Sequence, residues 1–249
     1  MCKLAYIRTK DGSAYKRVLH MIHFQENVVA GHSTGIVYRT LTNEFKHRKA
    51  VGKVNSFMVE YPDKPSSDEA LGFSRYATVG AITAENTQPV SIMLGRRKIG
   101  FGLHNGTFSE YKSYENYRSP NMVNKTDSAL LYTIYSRVLE ELGDSKMNRM
   151  KAFSFVRNLI KNGSNHNLIM MFKDGMILFG GNALTFSKSP DVFGIMTFGL
   201  DNKVKDGYIY SYMNGEVGRY DIAVPRTSIR KRKPTEPEQL SFDDFGGFC

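Results

Sequence analysis

"SIMLGRRKIGFGLHNG", residues 91–106, reads as two strands rich in apolar residues and glycine, joined by the polar turn "GRRK" at 95–98. So short a turn sends the chain back antiparallel to itself. The same pattern recurs downstream. "NLIMMF" and "MILFGG" (167–181) flank Asp174-Gly175, "YIYSYM" and "EVGRYDIAV" (208–224) flank Asn214-Gly215, and "VFGIMTF" (192–198) lies between these pairs. Near the start, "CKLAYIR" (2–8) and "TGIVYRT" (34–40) also have strand composition. Much of the chain is therefore expected to be antiparallel sheet.

Helices lie between these strands. In "TDSALLYTIYSRVLEELG" (126–143), Leu130, Leu131, Ile134, Val138, Leu139 and Leu142 follow the 3.6-residue spacing of an amphipathic helix, with Thr126 or Asp127 as its N-cap and Gly143 as its stop. A second helix is predicted from about Lys146 to Lys161, closed by Asn162-Gly163. Strands at both ends with helices between them, and one near the start, imply an α+β body in which sheet packs on sheet and helices lie outside.

Composition fits one large domain. The chain has 249 residues, 41% of them hydrophobic and 23% charged, enough to bury a sizeable core and too apolar for a disordered polymer. The domain is expected over residues 2–225. Beyond it, "RTSIRKRKPTEPEQLSFDDFGGFC" (226–249) reads as a charged, mobile tail whose acidic-aromatic "SFDDFGGF" suits a basic, apolar groove on a protein partner.

Several function classes can be set aside. The only cysteines are Cys2 and Cys249, which form no disulfide framework, and no Cys/His cluster has zinc spacing. His20 and His23, three apart on a predicted early helix, lack a third ligand, so no metal is expected. Gly100 and Gly102 precede no helix and make no dinucleotide fingerprint, and no cofactor is implied. No apolar run suits a signal peptide or a membrane span, which predicts a cytoplasmic protein. The net charge of +10 would suit an acidic partner or nucleic acid. It is spread out, however, and its densest stretches, "FKHRKAVGK" (45–53) and "GRRK", read as solvated loops, which argues against nucleic acid. Met170 and Met171 read as core.

Cys2 stands apart. A cysteine exposed at the amino terminus by removal of Met1 supplies a thiolate nucleophile and, in its own α-amine with a reference pKa of about 7.7–8.0, the base that activates it. Short polar side chains are ordinary at position 2, so position alone proves little. Three further stretches follow in order: "FSRYATVGAITAENTQPV" (73–90), "GLHNG" (102–106) and "KTDSALL" (125–131). With Cys2 they resemble the class II glutamine amidotransferases, whose corresponding segments read "TRWATHG...N.HP", "HNG" and "TD". The resemblance covers roughly residues 2–220 and implies a four-layer αββα sandwich of the N-terminal-nucleophile hydrolase type.

The resemblance also assigns roles. Arg75 would hold the α-carboxylate of glutamine bidentately, with Thr78 and the backbone around Val79 and Gly80 closing on the same group. Asp127 would pair with the ammonium. Cys2 would attack the carboxamide, with the Asn105 side-chain amide and the Gly106 N–H meeting the oxyanion. Each residue also has an ordinary structural reading: a surface ion pair for Arg75, a turn for Asn105-Gly106, a helix cap for Asp127.

There are departures from the family pattern. "VAGHSTGI" (29–36) replaces the family's "RG.DSAG", with His32 where the acid stands, Val79 replaces the histidine of "WATHG", and Lys3 replaces a common glycine. Lys3, beside the nucleophile, is expected to depress the thiol pKa. The expected function is release of ammonia from L-glutamine through a Cys2 thioester, for a separate acceptor or synthase subunit. Two alternatives remain: a standalone γ-glutamyl amide or peptide hydrolase, and a catalytically idle binding module using the basic surface and tail.

Overall fold

The computed structural model describes residues 2–26, 31–118, 122–160 and 166–221. In chain order these form β1 (Lys3–Thr9), α1 (Ala14–Glu26), β2 (Ser33–Thr40), β3 (Phe45–Val51), α2 (Val54–Glu60), β4 (Ser67–Arg75), β5 (Val90–Leu94) and β6 (Arg97–Asn105). Then come a 3-10 turn (Tyr111–Tyr117), α3 (Asp127–Leu142), α4 (Lys146–Leu159), β7 (Asn167–Phe172), β8 (Ile177–Gly180), β9 (Thr185–Lys188), β10 (Val192–Met196), β11 (Asn202–Lys203), β12 (Tyr208–Met213) and β13 (Glu216–Asp221).

The strands make two antiparallel sheets, ordered β11-β9-β10-β1-β4-β2-β3 and β13-β12-β8-β7-β6-β5. Period-2 alternation decides which sides meet. Leu4 and Tyr6 of β1 turn inward with Leu71 and Phe73 of β4, and pack against Leu103, Ile169, Met171 and Phe179 of the other sheet. Ala5 and Ile7 turn outward, under Val18 and Ile22 of α1. In β7 every residue is buried, because Leu168, Met170 and Phe172 lie under α3 and α4 while Ile169 and Met171 face the other sheet. An uninterrupted apolar run is what a strand covered on both faces requires. The layers are thus α1/α2, sheet, sheet, α3/α4, the four-layer αββα sandwich expected from the sequence.

α3 shows how helix and sheet are joined. Leu130, Leu131, Ile134 and Leu139 are at most 1% exposed, and each such burial is worth about 1.5–3 kcal/mol relative to exposure. The helix sits close because β6 carries Gly102 beneath it, where a Cβ would fall 2.1 Å from the Tyr132 ring, and the Tyr132 hydroxyl donates to the Leu103 carbonyl at 2.6 Å. Thr126 is the N-cap, its hydroxyl accepting from the Ala129 N–H at 3.2 Å, and Gly143 closes the helix with φ +81°. Far from this end, Glu69 receives Arg8 at 2.7 Å, Arg39 at 2.6 Å and the Tyr6 hydroxyl at 2.6 Å, while Arg39 reaches the Phe172 carbonyl in the facing sheet at 2.9 Å. That knot ties the two sheets together.

One sequence expectation about the fold fails. Residues 45–51 are not a loop but β3, the edge strand of the first sheet. Its charges fit that place, since edge strands carry charged residues that discourage pairing with another chain. The tail at 226–249, the domain limit at 225, Asn162-Gly163, Val29 and Ala30 lie outside the described residues. No described helix is long and apolar enough to cross a membrane.

Candidate active site at one end of the sandwich

Strand register brings the site together. β1 and β4 pair antiparallel with Lys3 opposite Ser74, so Cys2, just before β1, lies beside Arg75 and Tyr76. The Tyr76 N–H donates to Cys2 Sγ at 3.3 Å, and the thiol reaches the Tyr76 carbonyl at 3.4 Å. β2 enters at the same end: Ser33 faces Arg75, the His32 N–H donates to the Arg75 carbonyl at 2.6 Å, and His32 Nδ1 accepts the Ala77 N–H at 3.0 Å. The His32 ring stacks on Tyr76, with centroids 4.7 Å apart. His32 thus braces the backbone that holds the sulfur.

Arg75 is 4% exposed. Its Nη1 donates to the Ala81 carbonyl at 2.8 Å, and its Nη2 to the carbonyls of Val79 at 2.7 Å and Gly80 at 3.2 Å. Burial pulls its pKa below the usual arginine value, against the pull of Cys2 and Asp127. Carbonyls hold the guanidinium in place but do not neutralise it, and a buried cation without a paired carboxylate favours an anionic ligand. Val79 takes part through its carbonyl. Thr78 is exposed and no hydrogen bond ties its side chain to Arg75.

The second sheet and α3 supply the opposite wall. Asn105 ends β6, is 2% exposed, and its Nδ2 has no hydrogen-bond partner. A buried donor left unpaired costs about 1–3 kcal/mol. Gly106 follows with φ +148°, where a Cβ would fall 2.3 Å from His166 Nδ1, so only glycine fits. Asp127, 4% exposed at the first position of α3, accepts the Phe108 N–H at 2.7 Å. Burial pushes its carboxyl pKa up, against the Phe108, Ser128 and Asp127 N–H groups and the charge of Arg75.

Electrostatics link the two walls. Burial pushes the Cys2 thiol up; the Tyr76 N–H and Arg75 act downward, and Asp127 upward. The amino-terminal charge also acts downward, so burial is what favours the neutral thiol. Lys3 does not reverse this as expected, because it is 3% exposed with its ammonium 4.7 Å from the Phe198 ring centroid, and its own pKa is lowered by burial.

Three polar residues behind Asn105 were not read as part of the site. Gln88, Ser128 and His166 join His104 in a buried network. Gln88 lies within the quoted 73–90 segment and His166 just before an apolar strand, and nothing in spacing alone marks either. A groove of about 980 Å³ along the β3 and β5 edges, lined by Lys49, Phe101 and Tyr132 among others, includes none of Cys2, Arg75, Asn105 or Asp127. Lys49 there is lowered to about 8, by burial and then by Lys98.

The sandwich is of the N-terminal-nucleophile hydrolase type. It superposes on glutamine phosphoribosylpyrophosphate amidotransferase from B. subtilis with a TM-score of 0.71 and 14% identity, covering 89% of this chain and 49% of that one. A glutamine aminotransferase class-II domain protein from Silicibacter pomeroyi gives a TM-score of 0.62 and 12% identity, over 90% of this chain and all of that one. Over 111 residues the sequence is 29% identical to glutamine–fructose-6-phosphate aminotransferase (isomerizing) of Corynebacterium efficiens, 43% of this chain and 17% of that protein. The family model of class-II glutamine amidotransferases matches residues 41–187, more than half of the chain, and the chain belongs to that family. It spans about half the length of the B. subtilis enzyme and less than a fifth of the Corynebacterium protein.

Proposed function

We propose that the protein hydrolyses the side-chain amide of L-glutamine through a Cys2 thioester, releasing ammonia for a separate acceptor or synthase subunit. The observation that carries this reading is the unpaired, buried Asn105 Nδ2, next to Gly106 on a loop whose Phe108 N–H is held by Asp127, the carboxyl that acts on both Cys2 and Arg75. A buried donor with no protein partner, next to a backbone N–H, is available to charge that arises during reaction.

In this reading Met1 is removed, and the Cys2 α-amine takes the thiol proton as sulfur attacks the carboxamide carbon. Burial favours the neutral thiol, and the amine is the base that removes its proton. The oxyanion is met by Asn105 and Gly106. As the C–N bond breaks, the amine returns its proton to the departing nitrogen, which leaves as ammonia. Water then adds to the thioester, giving glutamate and the free thiol. Arg75 holds the α-carboxylate and Asp127 the α-ammonium; Thr78 and Val79 border the carboxylate end. No cofactor enters any step.

The test is glutamate release by Met1-free protein from glutamine and from several γ-glutamyl amides. Turnover of glutamine, lost in Cys2→Ala, supports the reading. Turnover of the amides alone would make the protein a γ-glutamyl amide hydrolase, and no turnover of either a binding module. The electrophilic analogue 6-diazo-5-oxo-norleucine should label Cys2 and spare Cys249; labelling of Cys249 alone would overturn the assignment.

A further inference from the structure

His104 and His166 lie stacked behind the Asn105–Gly106 loop, ring centroids 5.3 Å apart and planes within 9°, and no step above uses either. Both rings belong to a hydrogen-bonded chain that starts at Gln88. Gln88 Oε1 accepts the His104 N–H at 2.6 Å, which sets the orientation of the amide. Its Nε2 then spends one hydrogen on the His104 carbonyl at 2.8 Å and the other on Ser128 Oγ at 3.2 Å. Ser128 Oγ is thereby an acceptor from Gln88, and its own proton is free to go to His104 Nδ1, 3.0 Å away. A neutral imidazole that accepts at Nδ1 carries its proton on Nε2. With Ser128 as the donor, His104 Nε2 donates to His166 Nδ1 at 3.0 Å, and His166 also carries its proton on Nε2. The chain requires both rings neutral, and their surroundings favour that form: burial lowers His104 to about 3 with His166 adding to the shift, and burial followed by the Arg157 charge lowers His166 to about 4.

The loop in front needs such support. Asn105 Nδ2 has no partner to fix it, and Gly106 sits at φ +148° with no side chain. Register places His166, just before β7, opposite Gly106, since Asn105 pairs with Asn167. The position of a Gly106 Cβ is 2.3 Å from His166 Nδ1 and 2.9 Å from His104 Nε2, so the two rings fill the space a side chain would need. On the loop's far side the Phe108 N–H is held by Asp127, the neighbour of Ser128 in the first turn of α3.

We propose that His104 and His166 are positioning residues: through the one-way chain Gln88–Ser128–His104–His166 they lock the Asn105–Gly106 loop to the start of α3 and so aim both oxyanion donors. This rests on the reading of Asn105 and Gly106 as those donors.

The test uses the full chain. His166→Leu keeps bulk but removes the acceptor, and should lower kcat about 10–100-fold with KM nearly unchanged, since displacing reacting groups by about 1 Å can cost ~10²-fold. His166→Asn offers Oδ1 near the Nδ1 position and should recover most of that loss. Should His166→Leu fail to fold, Ser128→Ala, which deletes one hydroxyl, should give the same loss confined to kcat. An unchanged kcat, or a loss that His166→Asn does not recover, overturns the proposal. A long-range ¹H–¹⁵N spectrum of the imidazoles reads the chain without turnover: two neutral Nε2–H rings at pH 7 are expected, and a His104 proton on Nδ1 overturns it. If wild-type protein releases no glutamate, or Asn105→Ala leaves kcat intact, the functional reading fails first and the positioning role falls with it; the spectrum still decides whether the chain exists.

Discussion

Asp127 Oδ2 accepts the Phe108 N–H at 2.7 Å, while the N-cap of α3 is the preceding residue, Thr126. Capping and carboxylate chemistry are therefore separated by one position. Thr126→Ala should cost about 0.5–2 kcal/mol of stability and leave KM for glutamine unchanged. Asp127→Asn keeps an acceptor for Phe108 but removes the charge, so Tm should hold while KM rises. Asp127→Ala should do both kinds of damage, leaving a buried N–H unpaired at about 1–3 kcal/mol. Wild-type KM in Asp127→Asn would end the ammonium-binding role.

The raised Asp127 pKa has its own consequence. As pH falls through that value the carboxylate gains a proton and loses its hold on the ammonium. KM should therefore begin to rise, on the acid side, at a higher pH than an ordinary aspartate would give. A pH profile of KM in wild type against Asp127→Asn reads this directly, because the variant should lack that limb.

His104 predicts an acid-labile fold. Its folded-state pKa, about 3 through burial, lies below the usual histidine value, so the unfolded chain takes up the proton first. Stability is then complete above about pH 6.5 and falls with acidification toward the folded pKa, with a slope from this residue of up to about 1.4 kcal/mol per pH unit. Urea midpoints at pH 7, 6 and 5 should drop more steeply in wild type than in His104→Gln. Equal slopes would mean that His104 is not the proton acceptor.

Most of the fold was legible because both sheets are covered on their outer faces over their central strands. β1, β2, β6, β7, β8 and β12 are apolar on both sides, and three turns with glycine at positive φ, at Gly95, Gly175 and Gly215, separate hairpin strands. β3 was missed because Lys46, His47, Arg48 and Lys49 give an edge strand the composition of a loop. At the site, Arg75, Asn105, Gly106 and Asp127 could be read because the family pattern spaces them along the sequence. Tyr76 acts through its backbone, and His166 through register with Gly106 across two strands, so neither leaves a local mark in the sequence.

Arg75 holds its own loop through the carbonyls of residues 79–81. Lysine offers one ammonium where arginine offers a planar fork, so Arg75→Lys should not rescue Arg75→Ala. Both variants should raise KM for glutamine far more than they lower kcat, and both should speed amide exchange in residues 77–81. If exchange rises while KM stays at the wild-type value, Arg75 is a loop brace and does not read the substrate.

Asn105 yields the sharpest separation of stability from activity. Its Nδ2 makes no native hydrogen bond, so Asn105→Ala removes an unpaired buried donor whose cost of about 1–3 kcal/mol offsets much of what the lost packing takes away. Tm should therefore change little. The oxyanion, by contrast, loses one of two donors, a change that typically lowers kcat by about 10²–10³-fold with little effect on KM. Gly106→Ala is the contrasting variant. Its Cβ would meet His166 Nδ1 at 2.3 Å from a backbone at φ +148°, so it should lower Tm and kcat together. Calorimetry and steady-state kinetics on the two proteins decide the matter: a large Tm loss in Asn105→Ala with kcat intact would make Asn105 a structural residue and leave the oxyanion without its side-chain donor.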